Sequence, residues 1–392
     1  MKFIKVGFMG LMMLLISNVM IIRANADEYL GFYYYDTGSD TSTDSAKDHD
    51  IALKDANLLA YKVIEENVKE KTSSTYKMSH YLASSKAYYT IPGLNNTNVL
   101  GKDCTTMVPQ GICTMDSYVL ITAYDSSTQN KSVIYVLDNN NALKATLVYC
   151  NKNHLGGITY DGSYIWISEG GDDAEVTWDN YVGAISKSTI LNAIKVSSVK
   201  KAKSVALKNI THIKRQQVSA LSSTSYCTYF DSRLWVGTFD KDNKSDIYGY
   251  KIDYSYDTPK LKVDRYIEAP KKAQGICFYK TVGKVYMGVS TSYGRQNNSV
   301  IICYRPKDYY EPKKKYKGIM QISLNDAYKK ITMPPMSEQI SIRGIAMYCI
   351  FESAAYKYLN QHDNIIEGAL HINHSERPIG SFCIFSTDKI FK

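Results

Sequence analysis

The sequence predicts an all-β fold, a β-propeller of about five four-stranded blades, with one amphipathic helix ahead of it. Three observations predict it. A strand-turn-strand phrase returns five times along the chain. Further strand-like segments follow its copies, as in Ser132-Val133-Ile134-Tyr135-Val136-Leu137-Asp138. The chain then finishes in Ser381-Phe382-Cys383-Ile384-Phe385, a strand placed to close a ring against an early one. Repetition on this scale marks solenoids and propellers. Four antiparallel strands per repeat make one blade, and closing the ring removes exposed sheet edges.

The elements follow in chain order. Residues 1–26 read as a secretory signal peptide. Lys2 and Lys5 precede an apolar run from Val6 to Ile22, and Ala24-Asn25-Ala26 is a small-x-small cleavage site. The mature chain is then expected to start near Asp27, to be exported in soluble form, and to hold no stable membrane insertion. The removed piece carries Lys2, Lys5 and Arg23 and no acid, so the net charge falls from +9 to +6. A mild positive balance suits an anionic cell-wall polymer or acidic glycan. It is too weak and dispersed to suit nucleic acid. The one dense cluster, Lys313-Lys314-Lys315-Tyr316-Lys317, reads as a solvated loop.

Residues 27–99 form an N-terminal segment. Leu53, Ala56, Ala60 and Val63 recur at helical spacing and predict a helix over 51–71. Residues 73–97 carry scattered aromatics and suit an outer strand; a sixth blade arises only if residues 73–100 build one. The propeller proper is expected over 100–392. Its five phrases open at Ile112, Ile158, Cys227, Ile276 and Ile340. Tight turns such as Met115-Asp116-Ser117 and Asp161-Gly162-Ser163 mark hairpins. Uneven spacing between copies leaves room for insertions, among them the Lys-rich stretch 195–208. Cys113, Cys227 and Cys277 fall at or beside the strands in related positions, which suits small buried hydrophobes rather than a disulfide framework. Mostly free thiols are expected among the eight cysteines, with at most one or two bridges.

Aligning the blades puts Gln110, Gly156, Ser225, Gln274 and Glu338 just before or at the first strand. Innermost strands line a propeller's axis, so polar residues at their starts converge on one mouth. The candidate ligand-binding set is Gln110, His154, Gln274, Tyr293, Arg295 and Glu352, with Glu338 the candidate catalytic base. Arg295, after Gly294, suits a clamp on a carboxylate or phosphate. Equally, it suits an ion pair with Glu352 or Glu338. Glu338 and Glu352 are the best carboxylates for proton transfer, which needs a pKa raised by burial. No metal centre is predicted. His371 and His374 form H-x-x-H without the glutamate of a zinc protease. The acidic, glycine-rich run Glu169 to Glu175 leaves calcium as the one cofactor the chain admits. No G-x-S-x-G elbow, P-loop or G-x-G-x-x-G fingerprint is present.

Gln274-Gly275-Ile276-Cys277-Phe278, with Val285-Tyr286-Met287-Gly288 and Ser290-Thr291-Ser292-Tyr293-Gly294-Arg295, resembles the opening of glutamine cyclotransferases. Those are secreted five-bladed propellers that cyclise N-terminal glutamine. The acidic strand of that family has only an echo in Ser337-Glu338-Gln339-Ile340. Most of residues 105–390 is also similar to poorly characterised secreted bacterial propellers. Pro334-Pro335-Met336-Ser337-Glu338 and Phe351-Glu352-Ser353-Ala354 carry that likeness. It implies fold and export. Two function classes result: an exported binding module for an extracellular or cell-surface glycan or peptide, and a propeller enzyme, a glutaminyl cyclase-like acyltransferase or hydrolase using Glu338. A purely structural partner for another envelope protein is a third.

Overall fold

The computed structural model describes residues 67–69, 75–94, 104–170, 180–198, 206–209, 213–359, 364–366, 369–371, 375 and 378–392. Five sheets of four core strands follow one another. Their first strands are Met107–Met115, Gly157–Tyr160, Tyr226–Phe230, Ala273–Thr281 and Ser337–Arg343, in blades 1 to 5. Each first strand packs against the next, and the fifth packs against the first, so the ring is closed. Blade 5 takes its outermost strand from the N-terminal side: Tyr88–Thr90 pairs antiparallel with Ser381–Ser386. The terminal strand therefore closes the ring as the sequence suggested. The residues considered for a sixth blade supply that fourth strand, and the propeller draws on chain ahead of residue 100.

The register explains the repeated Gly-Ile phrase. Neighbouring first strands approach so closely that a Cβ on Gly157 would lie 2.3 Å from the Cys227 nitrogen. One on Gly275 would lie 2.7 Å from the Gln339 Cα. Only glycine permits that approach. Five apolar clusters fill the wedges between blades. Trp166 and Val182 meet Leu234 and Val236 between blades 2 and 3. Trp235 meets Phe278, 5.1 Å between ring centroids, between blades 3 and 4. All eight cysteines are unbridged, and all but Cys150 are buried.

Two insertions strap backward onto the preceding blade. Between the third and fourth strands of blade 2, helix α1 (Lys187–Ser198) leads to Ala206–Asn209, which adds a parallel strand to the edge of blade 1. In blade 4 the hairpin Lys314–Tyr316 and Ile319–Ile322 adds likewise to blade 3. The lysine cluster is thus not a loop. It builds this hairpin, turning at Lys317 and Gly318 in left-handed backbone, with Tyr316 stacked on Tyr266 at 4.1 Å. Of the helix expected over 51–71, residues 51–66 lie outside the described residues. Asn67–Lys69 at its end is a strand paired with Thr75–Lys77, not helix. The expected signal peptide also lies outside them.

Candidate functional site

The first strands of blades 1, 4 and 5 share an irregularity at their start. Register shifts fall between Pro109 and Ile112, between Ala273 and Gly275, and between Ser337 and Ile340. The residues left between those pairs include Gln110, Gln274 and the two neighbours Glu338 and Gln339. Bulges re-aim side chains that regular pleating would point elsewhere. Here they turn polar groups toward the axis.

Gln339 fills the axis itself. It is fully buried. Its Oε1 accepts from the backbone nitrogens of Ile112 and Ile158, each at 2.9 Å. Its Nε2 donates to the carbonyls of Ile158 and Cys227, each at 2.8 Å. One amide from blade 5 therefore ties blades 1, 2 and 3 together. The axis is filled by this amide at that level.

Glu338 and Glu352 meet above that plug. Their carboxyls are in direct hydrogen-bond contact. Gln110 Nε2 donates to Glu352 Oε2 at 2.8 Å, the Tyr358 hydroxyl to the same oxygen at 3.1 Å, and Gln274 Nε2 to Glu338 Oε1 at 3.2 Å. Burial, then the charge and hydrogen bond of Glu352, hold the Glu338 carboxyl well above the usual carboxylate range. Burial also raises Glu352, but Lys357, Tyr358 and Gln110 oppose it. Both carboxyls are thus held above the ordinary carboxylate range, and the two titrate as a coupled pair.

A half-buried rim surrounds the pair. His154 stacks on Tyr124 with ring centroids 4.0 Å apart. Lys357 Nζ donates to the Tyr124 hydroxyl at 2.6 Å and lies 4.9 Å over the Tyr358 ring. Arg295 covers the same Tyr358 ring at 5.5 Å. Burial, then the Glu352 charge, push the Tyr124 phenol upward, while burial lowers the Lys357 ammonium. The structure thus gathers Gln110, Gln274, Glu338, Glu352, His154 and Arg295 at one end of the ring. The Tyr293 ring lies 5.1 Å from the Lys272 ammonium.

Sequence reasoning missed Gln339, Lys357 and Tyr358. The last two come from the excursion between the second and third strands of blade 5, through the short helix Tyr356–Leu359. Phe351-Glu352-Ser353-Ala354 is the only signal that led toward it. Glu169 opens the acidic run that admitted calcium, but it does not face solvent. Its side chain is fully buried, accepting from the Tyr149 hydroxyl and Arg215 Nε, each at 2.6 Å. Residues 171–175 of that run and His374 lie outside the described residues. Among the described residues no cluster of three His, Cys, Asp or Glu side chains is placed to hold a metal ion. A cleft of about 420 Å³ lies at the outer rim between blades 3 and 4, lined by Glu268, Pro270, Tyr304 and Asp326, and none of the expected site residues line it.

No family model and no curated protein matches the sequence. Among solved structures, the chain is similar to a thermostable family-43 glycoside hydrolase at 12% identity and TM-score 0.39, over 71% of this chain and 88% of that one. It is also similar to an exo-beta-1,3-galactanase from Phanerochaete chrysosporium, solved with beta-1,3-galactotriose, at 9% identity and TM-score 0.37, over 70% of this chain and 59% of that one. Neither ligand nor reaction follows from likeness at that level. The resemblance to glutamine cyclotransferases finds no support in these comparisons.

Proposed function

We propose that the protein is an exported binding propeller whose axial mouth holds a glycan or peptide over the Glu338–Glu352 pair. The observation that carries this reading is the pair itself: two carboxyls pressed together at the start of the innermost strands, held by side chains from blades 1, 4 and 5. Two buried acids destabilise a fold that apolar packing would fill more favourably. Donors and acceptors in this number, with aromatic faces and two cations at the rim, suit hydroxyl- or amide-bearing ligands. The test is a thermal-shift screen against neutral oligosaccharides, uronate oligosaccharides and N-terminal-glutamine peptides. Ligand at about a hundred times its Kd stabilises the native state by roughly 2.7 kcal/mol. The gain should vanish in Glu352→Gln. A panel without shifts, or shifts untouched by that change, sinks the reading.

The contact of two carboxyls with raised pKa favours a second reading, hydrolysis of an amide. In it the Glu352 carboxylate takes a proton from water, whose oxygen bonds the carbonyl carbon. As the C–N bond breaks, Glu338 gives its proton to the departing amine. The base is then Glu352, not Glu338. Glycoside hydrolysis fits less well, because carboxyls in contact lie closer than the ~5–5.5 Å of retaining enzymes. Loss of peptide turnover with retained binding in Glu338→Gln supports hydrolysis; absence of turnover in the parent protein removes it.

A further inference from the structure

First strands start at the mouth, so the turns that end them lie at the opposite face of the ring. In blade 5 the strand Ser337–Arg343 carries the chain about 23 Å away from it. The five turns there are of two kinds. Blades 1, 2 and 3 each place an aspartate in the turn, and each is occupied. Asp116 pairs with Lys187 at 2.8 Å, and Asp231 lies 3.4 Å from Arg233. Asp161 accepts from Trp166 Nε1 and from the Tyr254 hydroxyl at 2.7 Å. Blades 4 and 5 instead present Val282-Gly283 and Gly344-Ile345. The glycines take left-handed backbone, φ 72° and 58°. Val282 is 102% exposed and Ile345 75%.

These two tips belong to one continuous surface. The C-terminal helix Thr387–Phe391 lies between them: the Thr387 nitrogen donates to the Ile345 carbonyl at 3.0 Å, and the Tyr279 hydroxyl donates to Asp388 at 3.0 Å. Exposed cations surround the tips, with Lys280 and Lys284 on the blade 4 hairpin and Arg343 in blade 5, while Lys389 on the helix donates to the Leu82 carbonyl at 2.9 Å. The nearby acids are paired: Asp388 with Lys392 at 2.9 Å, and Asp231, whose charge reaches Lys280, with Arg233. Half-exposed Tyr310 lies beside Lys280, its ring 5.3 Å from the ammonium.

We propose that this sector docks on an anionic lipid surface, with Val282 and Ile345 among the head groups and the cations on lipid phosphates. A soluble polyanion would reward the cations and gain nothing from two protruding aliphatic tips. An anionic bilayer rewards both. Docking in this pose turns the axial mouth away from the membrane, toward solvent.

The test places a reporter on the tips. Val282→Trp and Ile345→Trp, with Ser117→Trp in the blade 1 turn as control, are mixed with vesicles of phosphatidylglycerol and phosphatidylcholine carrying brominated chains. The signal of the parent protein is subtracted. Quenching is expected at positions 282 and 345, absent at 117, and lost on pure phosphatidylcholine. Adding Lys284→Gln or Arg343→Gln should weaken binding about fivefold each, the share of one cation near an anionic surface. Because the reporters sit on the turns, lipid affinity of the apolar run Val6 to Ile22 does not mimic this pattern. Equal quenching at all three positions, or none, overturns the proposal. So does binding to soluble polygalacturonate with no lipid quenching, which would assign the cations to a polymer.

Discussion

Glu338 and Gln339 are consecutive residues at one bulge and meet opposite kinds of neighbours. Gln339 makes four hydrogen bonds to the backbone of three blades and carries no charge. Glu338 faces the carboxyl of Glu352, a group of its own kind. Both residues are buried and both are polar. One has every donor and acceptor matched, so its burial holds the ring together. The other is held against a like group, so its burial stores acidity. Polar residues on a propeller axis are therefore not one class, and what each meets decides whether it serves the fold or the chemistry.

The largest effect should come from breaking the matched side. Gln339→Leu leaves two buried N–H groups and two carbonyls without the amide's hydrogen bonds. An unsatisfied buried group costs about 1–3 kcal/mol, so a loss of roughly 4 kcal/mol or more is expected. Urea denaturation reads it as a lower midpoint at unchanged slope. A loss below about 1 kcal/mol would show that Gln339 is filler and not a tie between blades.

Glu169 sharpens the same contrast from blade 2. It is as buried as Glu338, and burial likewise raises its pKa. Its neighbours are Tyr149, Asn151 and Arg215 rather than a second carboxyl. Neutralising it strands a charged partner instead of relieving a repulsion. Glu169→Gln should cost roughly 2 kcal/mol at neutral pH, below the ~3–5 kcal/mol of a fully buried pair because Arg215 keeps some solvent. A stabilising effect would place Glu169 with Glu338 and erase the distinction.

Much of this was legible because the blade is a local unit. Strand-turn-strand phrases and a Gly-Ile step forced by close strand approach are written within about ten residues each. Gln110, Gln274 and Glu338 could be aligned for that reason. The tie through Gln339 was not legible, since strand alternation does not announce the bulge that aims two adjacent polar residues. Lys357 and Tyr358 were hidden in an excursion with no counterpart in other blades. The lysine cluster is solvated as its charge suggests, but the turn at Lys317-Gly318 and the stacking face of Tyr316 make it a strapping hairpin rather than a loop. The helical periodicity of 51–71 ran past its end, where Asn67–Lys69 pairs as strand.

The smallest effect is also the most diagnostic, because its sign depends on pH. Glu338 has a folded-state pKa raised above the ordinary value of 4.5. Below that value the folded and unfolded chains are both protonated, and the contribution to stability is fully present. As pH rises the unfolded chain releases its proton while the folded chain keeps it, so stability is progressively lost until the folded value is passed. Glu338→Gln removes this dependence and keeps the side chain's shape. The stability difference, variant minus parent, should therefore shift in the variant's favour as pH rises from 5 to 8. Groups that do not touch Glu338, Glu169 and Asp125 among them, cancel in that difference, so it reads the Glu338–Glu352 pair alone. Urea midpoints for both proteins at pH 5, 6, 7 and 8 give the curve. A flat difference would mean that burial against Glu352 does not raise the Glu338 carboxyl, and the contrast between Glu338 and Gln339 would reduce to one of packing.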